Sequence, residues 1–387
     1  MKAQRKTLSI TDIKLTNARG VLKCLKGNEQ ISRAGISRAT GLSRPTVSVL
    51  IAELIDKGCI IECGDGEAHS GRKPIILKLN RAYKYAIGLD YSSSRFIRGC
   101  VCDMAYGIIA KAERPCDASR GCILEITSGL IDELLQHIPA ESSLAGIGIG
   151  VTGIVDTVKN RVIESERYDL NINYAGYLQD RYAAPIFMEN DSNVAAVAEY
   201  AQGKARGKEN FIYIFCSEVI GMGIFLKGSL FYGNMFNSGE IIHMAHDGIT
   251  ETCGCGNKGC LGVKLSESNI ISQINNGDKK VNTMRQVYNL YHNYHPQTEA
   301  AVNEAAKYLS RLIANTSKLL GIDDFVIGGF FTGFGERFLR AVSEYVKQEH
   351  VGFRSNAINI QFSKFLEDGV ALGAASLVLD KVWDLSL

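Results

Sequence analysis

The sequence predicts an α/β protein in two parts: a small helical head with a two-stranded wing, and a larger body of alternating strands and helices. Three observations carry this. Residues 1–80 hold three short stretches of helical periodicity followed by two strand-like runs. From 85 to 380, apolar strand-like runs alternate with helical ones, which is the pattern of an α/β domain. In the second half, His243, Cys253, Cys255 and Cys260 fall within 18 residues, a set suited to holding a metal ion. The division expected is a head over 1–80 and a two-lobed ligand-binding body over 81–387.

Bulk properties bound the function. At 387 residues, 46% hydrophobic and 22% charged, the chain has the makeup of a globular protein with a sizeable core. Its start, MKAQRKTLSITDIK, lacks an apolar stretch, and no run approaches 18 apolar residues. Neither a signal peptide nor a membrane span is therefore expected, and the expected location is cytoplasmic. Of the eleven cysteines, Cys24, Cys59, Cys100, Cys102 and Cys216 sit at apolar or strand-like positions, as free thiols do in a reducing compartment. Residues 1–80 carry 14 basic and 7 acidic side chains, against 29 and 34 in the remainder. A head of net +7 on a body of net −5 points to a polyanionic partner for the head alone.

In the head, residues 1–13 read as a loose arm. Ala18, Val21, Leu22 and Leu25 recur at helical spacing and place a helix over 16–25, ended by Gly27 and Asn28. Ser32 suits the N-cap of a second helix running to Thr40, and Gly41 and Leu42 make the turn. Ser43 caps a third helix with Pro45 in its first turn, where a missing N–H costs nothing. Val47, Leu50, Ile51, Leu54 and Ile55 form its inner stripe, and Lys57 and Gly58 close it. Strands over 59–62 and 75–79 flank a polar loop. This is a winged helix-turn-helix, whose partner would be double-stranded operator DNA. Ser43, Arg44, Thr46 and Ser48 lie on the early outward turns of the recognition helix. Arg44 suits guanine, and Ser43 and Thr46 suit phosphate, while Arg72 and Lys73 on the wing would follow the backbone or enter the minor groove. The same periodicity would also suit a small helical protein-interaction domain; cap, turn, wing and charge together favour DNA.

In the body, strands are expected over 85–90, 96–103, 107–110, 145–150, 185–188, 211–216, 221–228 and 325–329. Helices are expected over 123–137, 193–201, 300–320 and 369–380. The stretch from Lys279 to Pro296 reads as an insertion. Three thiolates and one imidazole supply four ligands, which closes a tetrahedral site and makes a structural zinc ion the expected cofactor. Gly254, Gly256 and Gly259 let the backbone wrap round it. Unligated thiols and a redox pair are the alternatives; Cys-x-Cys lacks the spacing of the latter.

The run from Gly239-Glu240 through His243, Cys253, Cys255 and Gly259-Cys260-Leu261 resembles the zinc motif of the ROK family (repressors, open reading frames, kinases). So do GIGIGVTGIVD at 146–156, ENDSN at 189–193, ALGAA at 371–375, and the head's ISR…GLSRPTVS…GRKP. The resemblance spans nearly the whole of 85–380. It implies an actin-like ATPase/sugar kinase fold, with Asp191 matching the family's catalytic base and Asn190, Glu240 and His243 matching other sugar-contacting positions. The family's Glu after Cys-Leu is here Gly262, which removes one acceptor and points to a different sugar, a pentose or a modified sugar.

The family's phosphate-binding turn, roughly Asp-x-Gly-Gly-Thr, is here Asp90-Tyr91-Ser92-Ser93-Ser94. Its Gly-Thr-Gly is Ser217-Glu218-Val219, with a carboxylate set against phosphate. Gly328-Gly329 survives at the adenosine loop. The resemblance thus implies a sugar-responsive repressor of carbohydrate genes with no catalytic residues, binding as a homodimer or homotetramer. An ATP-dependent sugar kinase with a regulatory head is the alternative, and a metal sensor is a third.

Overall fold

The computed structural model describes residues 10–27, 30–65, 74–116, 122–165, 167–349 and 358–384. The head consists of α1 (Ile10–Gly27), β1 (Ile31–Ser32), α2 (Arg33–Thr40), α3 (Arg44–Asp56), β2 (Ile60–Asp65) and β3 (Ile75–Leu79). Lobe 1 consists of β4 (Lys84–Tyr91), β5 (Phe96–Asp103), β6 (Ile108–Pro115), α4 (Ile123–Leu135), β7 (Ser143–Val151), β8 (Ile154–Asp156), β9 (Arg161–Glu164), α5 (Tyr174–Tyr182), β10 (Ile186–Asn190) and α6 (Asp191–Gln202). Lobe 2 consists of β11 (Phe211–Cys216), β12 (Ile220–Leu226), β13 (Ser229–Leu230), α7 (Gly262–Leu265), α8 (Glu267–Asn275), α9 (Met284–His292), α10 (Pro296–Leu320), β14 (Asp324–Gly329), a 3₁₀ turn (Phe330–Phe334), α11 (Gly335–Glu349) and β15 (Asn359–Phe362). The final helix, α12 (Gly369–Trp383), returns to lobe 1.

Local chemistry explains the head. Ser32 Oγ accepts from Gly35 N, and Ser43 Oγ accepts from Thr46 N, so each hydroxyl satisfies a first-turn donor. Gly41 has φ +71° and its N–H closes α2 on the Ser37 carbonyl, a left-handed position that costs glycine little. Two expectations change. The arm assigned to 1–13 is helical from Ile10, because a Lys14–Glu53 ion pair of 2.6 Å ties that turn to α3 rather than an apolar stripe. The wing sheet has three strands in the order β1-β3-β2, and β1 is too short for alternation to reveal.

The two lobes repeat one topology. Sheet order is β10-β7-β4-β5-β6 in lobe 1 and β13-β12-β11-β14-β15 in lobe 2. Numbered within its own lobe, each sheet runs 3-2-1-4-5, with strands 1, 2 and 3 antiparallel and 1, 4 and 5 parallel. The segment read as an insertion belongs to the core of lobe 2. Val281, Met284, Val287 and Tyr291 are buried there, and a Thr283/Gln286 capping box starts α9.

Helix α12 is clamped at backbone distance. A Cβ on Gly88 of β4 would lie 1.9 Å from the Ala371 carbonyl, one on Gly148 of β7 2.1 Å from Ala374 O, and one on Gly373 1.7 Å from Val194 O of α6. Helix α6 also carries β12 of lobe 2, for Gly221 and Gly223 abut Ser192 and Ala196. It is therefore the strut shared by the two lobes. The head is not isolated from this frame. Val21, Leu22, Ile36, Val47, Ile51 and Leu77 form one apolar cluster with Cys100, Cys102, Met104, Leu372 and Trp383 of the body.

Candidate ligand cleft, metal site and nucleic-acid interface

A cleft of about 1140 Å³ opens between the lobes and is lined by Asn190, Asp191, Glu240 and His243 together, along with Thr152, Glu164, Arg167 and Gly262. Strand β10 runs into α6 without a loop. Asn190 is the cap: its Oδ1 accepts from Ser192 N (2.9 Å) and Asn193 N (3.2 Å), and its Nδ2 donates to Gly153 O. Its amide is thus employed at both ends in shaping the floor. Asp191 is the first helical residue. Its Oδ2 accepts from Thr152 Oγ1 and its Oδ1 from Ser192 N, both at 2.7 Å.

Asp191 is only 2% exposed, and burial pushes its carboxyl up to about 6, with the nearby Asp90 adding and the Thr152 and Ser192 donors opposing. Glu240 is raised to about 7, first by burial and then by the charges of Asp191 and Glu164. These carboxylates form an acceptor-rich floor suited to neutral polyhydroxyl ligands. Gly262 lines the same cleft, and a Cβ there would sit 2.4 Å from Ile242 Cγ1. A side chain at this position would require Ile242 to shift.

Glu218 lies in the β11–β12 turn of lobe 2 and reaches across to lobe 1. Its Oε1 accepts from Ser94 N (2.8 Å) and Ser94 Oγ (2.9 Å), and its Oε2 pairs with Arg167 Nη2 (2.7 Å). Arg167 also donates to the Ser92 carbonyl. A carboxylate therefore occupies the donors of the turn that sequence reading aligned with phosphate binding. The surviving glycines have packing reasons. A Cβ on Gly328 would meet the Tyr213 hydroxyl at 1.8 Å, and one on Gly329 the Cys216 carbonyl at 1.8 Å. Arg167 was missed by sequence reading; it lies between β9 and α5, outside every motif.

The four metal-site candidates converge. One ligand atom from each of His243, Cys253, Cys255 and Cys260 lies within 4.8 Å of the others. Cys255 Sγ and Cys260 Sγ are 3.6 Å apart, as are His243 Nδ1 and Cys253 Sγ. Tetrahedral ligands about 2.3 Å from an ion stand roughly 3.7 Å apart, so the set fits a metal ion. The loop is shaped for it: Cys253 N donates to Asn257 O, His246 N to Gly259 O, and Gly256 and Gly259 both have φ +88°.

On α3, Ser43, Arg44 and Ser48 are exposed, while Thr46 is half-buried with its hydroxyl 2.8 Å from that of Ser43. Arg72 and Lys73 lie outside the described residues. Val49, 57% exposed beside Ser48, also faces outward and no charge pattern marked it. Arg33 and Lys14 pair with Glu62 and Glu53, whereas Arg44 is exposed at the start of α3. Among the described residues, no helix is long and apolar enough to cross a membrane.

A winged helix-turn-helix set on two lobes of duplicated topology, with a polar cleft between them, defines a DNA-binding head on a sugar-kinase-like body. The chain belongs to the ROK family, whose model matches residues 87–381, and a winged helix-turn-helix DNA-binding model matches 15–61. It is 27% identical over 380 residues to the xylose repressor of Bacillus subtilis (strain 168), covering 97% of this chain and 98% of that protein. A crystal structure of a ROK family transcriptional regulator, a homolog of the E. coli MLC protein, matches with TM-score 0.83 at 22% identity, over 96% of this chain and 97% of that one. The ROK hexokinase from Thermus thermophilus matches with TM-score 0.66 at 24% identity, over 78% of this chain and 99% of that one.

Proposed function

We propose that this chain is a cytoplasmic transcriptional repressor of carbohydrate-utilisation genes, which releases double-stranded operator DNA in response to a sugar bound in the interlobe cleft. The observation that carries the reading is the pairing of a winged head with a body whose phosphate-binding turn is occupied by Glu218. Arg44 reads a base edge, Ser43, Thr46 and Ser48 contact phosphate, and Val49 offers an apolar contact to a thymine methyl. Arg72 and Lys73 extend this contact along the DNA backbone. Asp191 and Glu240 accept from sugar hydroxyls, assisted by Asn190 and by the His243 nitrogen that the metal does not use. A structural zinc ion joins His243 to the Cys253–Cys260 loop and so fixes one cleft wall. The chain acts as a homodimer or homotetramer on a two-fold operator.

Phosphotransfer is absent in this reading, because nucleotide phosphates would have to displace a paired carboxylate. The retained Asp191, with its pKa near 6, is the feature that favours a kinase instead. Gel-shift binding to the protein's own upstream DNA, with D-xylose first among a panel of pentoses, hexoses and amino sugars, tests the reading. Binding released by one sugar supports it. Absence of DNA binding, with sugar phosphorylation at ordinary turnover, would replace it with the kinase.

A further inference from the structure

Between cleft and head lies a turn at which four elements meet. Residues 103–107 join β5 to β6. Asp103 Oδ1 accepts from Ala105 N and Gly107 N, which fixes the turn, and its Oδ2 accepts from Arg81 of the head–body link at 2.9 Å. Tyr106, at the turn's tip, is 3% exposed and holds φ +62°, a left-handed conformation costly for an aromatic residue. Its carbonyl accepts from Gln202 Nε2 at the C-terminal end of α6. Its hydroxyl donates to Asp380 on α12. Asp380 in turn pairs at 2.6 Å with Lys26 in the last turn of α1, and the Lys26 ammonium lies 4.4 Å over the Tyr106 ring. At the other side of the same contact, Arg19 of α1 donates to the Asp384 carbonyl at 2.7 Å.

The N-terminal end of α6 is Asp191, in the cleft. Helix α6 is twelve residues long, so eleven steps of 1.5 Å, about 16 Å, separate Asp191 from Gln202. Close packing of its first half on α12 (Val194 against Gly373) and on β12 (Ser192 and Ala196 against Gly221 and Gly223) braces this helix. A movement at one end is therefore delivered at the other.

We propose that Tyr106 is the positioning residue through which the cleft controls the head. Lobe closure on a ligand at Asp191 shifts α6, Gln202 carries the shift to the turn, and Tyr106 transmits it through Asp380 and Lys26 to α1. The device rests on the repressor reading and supplies its regulation. Coupling between two sites requires an element whose arrangement both bias; this turn is bonded to α6, which begins in the cleft, and through Asp380 to α1, whose Lys14 pairs with Glu53 of the recognition helix α3.

The test uses the full-length protein with Y106F and Q202L. D-xylose affinity is measured by calorimetry, and operator affinity by fluorescence anisotropy with and without D-xylose. Wild type is expected to lose operator affinity by a factor in the usual allosteric range of about 5–150. Each variant should fall below about threefold while its D-xylose affinity and sugar-free operator affinity stay within about threefold of wild type. Variants that keep the wild-type factor would overturn the joint. A wild type that binds D-xylose with no effect on operator affinity counts against the repressor reading instead; if it does not bind D-xylose, the same measurements are made with whichever sugar of the panel releases operator DNA.

Hydrogen exchange then judges the joint alone. Y106F should speed exchange of α1 amides 20–27 about tenfold and leave β4 and β7 unchanged, whereas unchanged α1 protection would sink the proposal. Should Y106F fold poorly, K26M removes the same tie from the head's side.

Discussion

Replacing Glu218 by Gln tests whether the carboxylate closes the cleft on its nucleotide side. The amide keeps the shape and one acceptor for Ser94 but loses the charge that faces Arg167. Hydrogen bonds to a charged group contribute about 1.5–3 kcal/mol and neutral ones about 0.5–1.5, so two strong bonds weaken by roughly 1 kcal/mol each. Glu218 and Arg167 are 27% and 21% exposed, and solvent screening trims the sum to about 1–2 kcal/mol. The Ser94 amide, which donates to Glu218, is its own reporter. Its hydrogen exchange in E218Q should be about 5–30-fold faster than in wild type, since each 1.4 kcal/mol is tenfold. Exchange unchanged within twofold would refute the idea that Glu218 holds the lobes together.

Further outcomes are expected at other positions. Asp191 has a folded pKa near 6 against an unfolded value near 3.9, so the folded state binds the proton more tightly, and stability present below pH 4 is lost as pH rises to 6. D191N should remove that share of the loss, about 2–3 kcal/mol, and lessen the fall of the thermal midpoint between pH 4 and 6 that Glu240 continues to cause, while weakening sugar binding at least tenfold; a pH profile like wild type would contradict the burial argument. C255S should lose bound metal by mass spectrometry and weaken both operator binding and sugar response, and full operator control without metal would end the structural role. G373A must push α6 from α12 and should destabilise by about 1–3 kcal/mol, read as a lowered denaturation midpoint, which an unshifted midpoint would contradict. R44A should cost about 1–3 kcal/mol of operator binding and relax preference at one base pair; loss that is uniform across sequences would make Arg44 a phosphate contact.

What could be read from the chain was local chemistry. Ser32, Gly41, Ser43 and Gly58 act within four residues of themselves, and their roles need no knowledge of the rest. The metal loop was legible for the same reason. The start of α1 was not, since Lys14 finds Glu53 only after the head has folded. Glycines carry two demands in one residue: Gly328 and Gly329 stand at the adenosine loop that the family resemblance implies, yet each faces a neighbouring atom that a side chain would meet. Glu218 was read as repelling phosphate, but its bridge to Ser94 and Arg167 joins residues more than fifty positions apart and has no local signature.

The cluster that fuses head to body contains Trp383, and the chain has only this one tryptophan. It is 6% exposed, with its indole N–H unpaired among apolar neighbours. Tryptophan emission, excited beyond the absorption of the 16 tyrosines, is consequently the fluorescence of that seam. Emission will be blue while the seam is dry and will shift red when water enters it. Head movement on its body can be followed in real time, in unlabelled protein, with a stopped-flow fluorimeter.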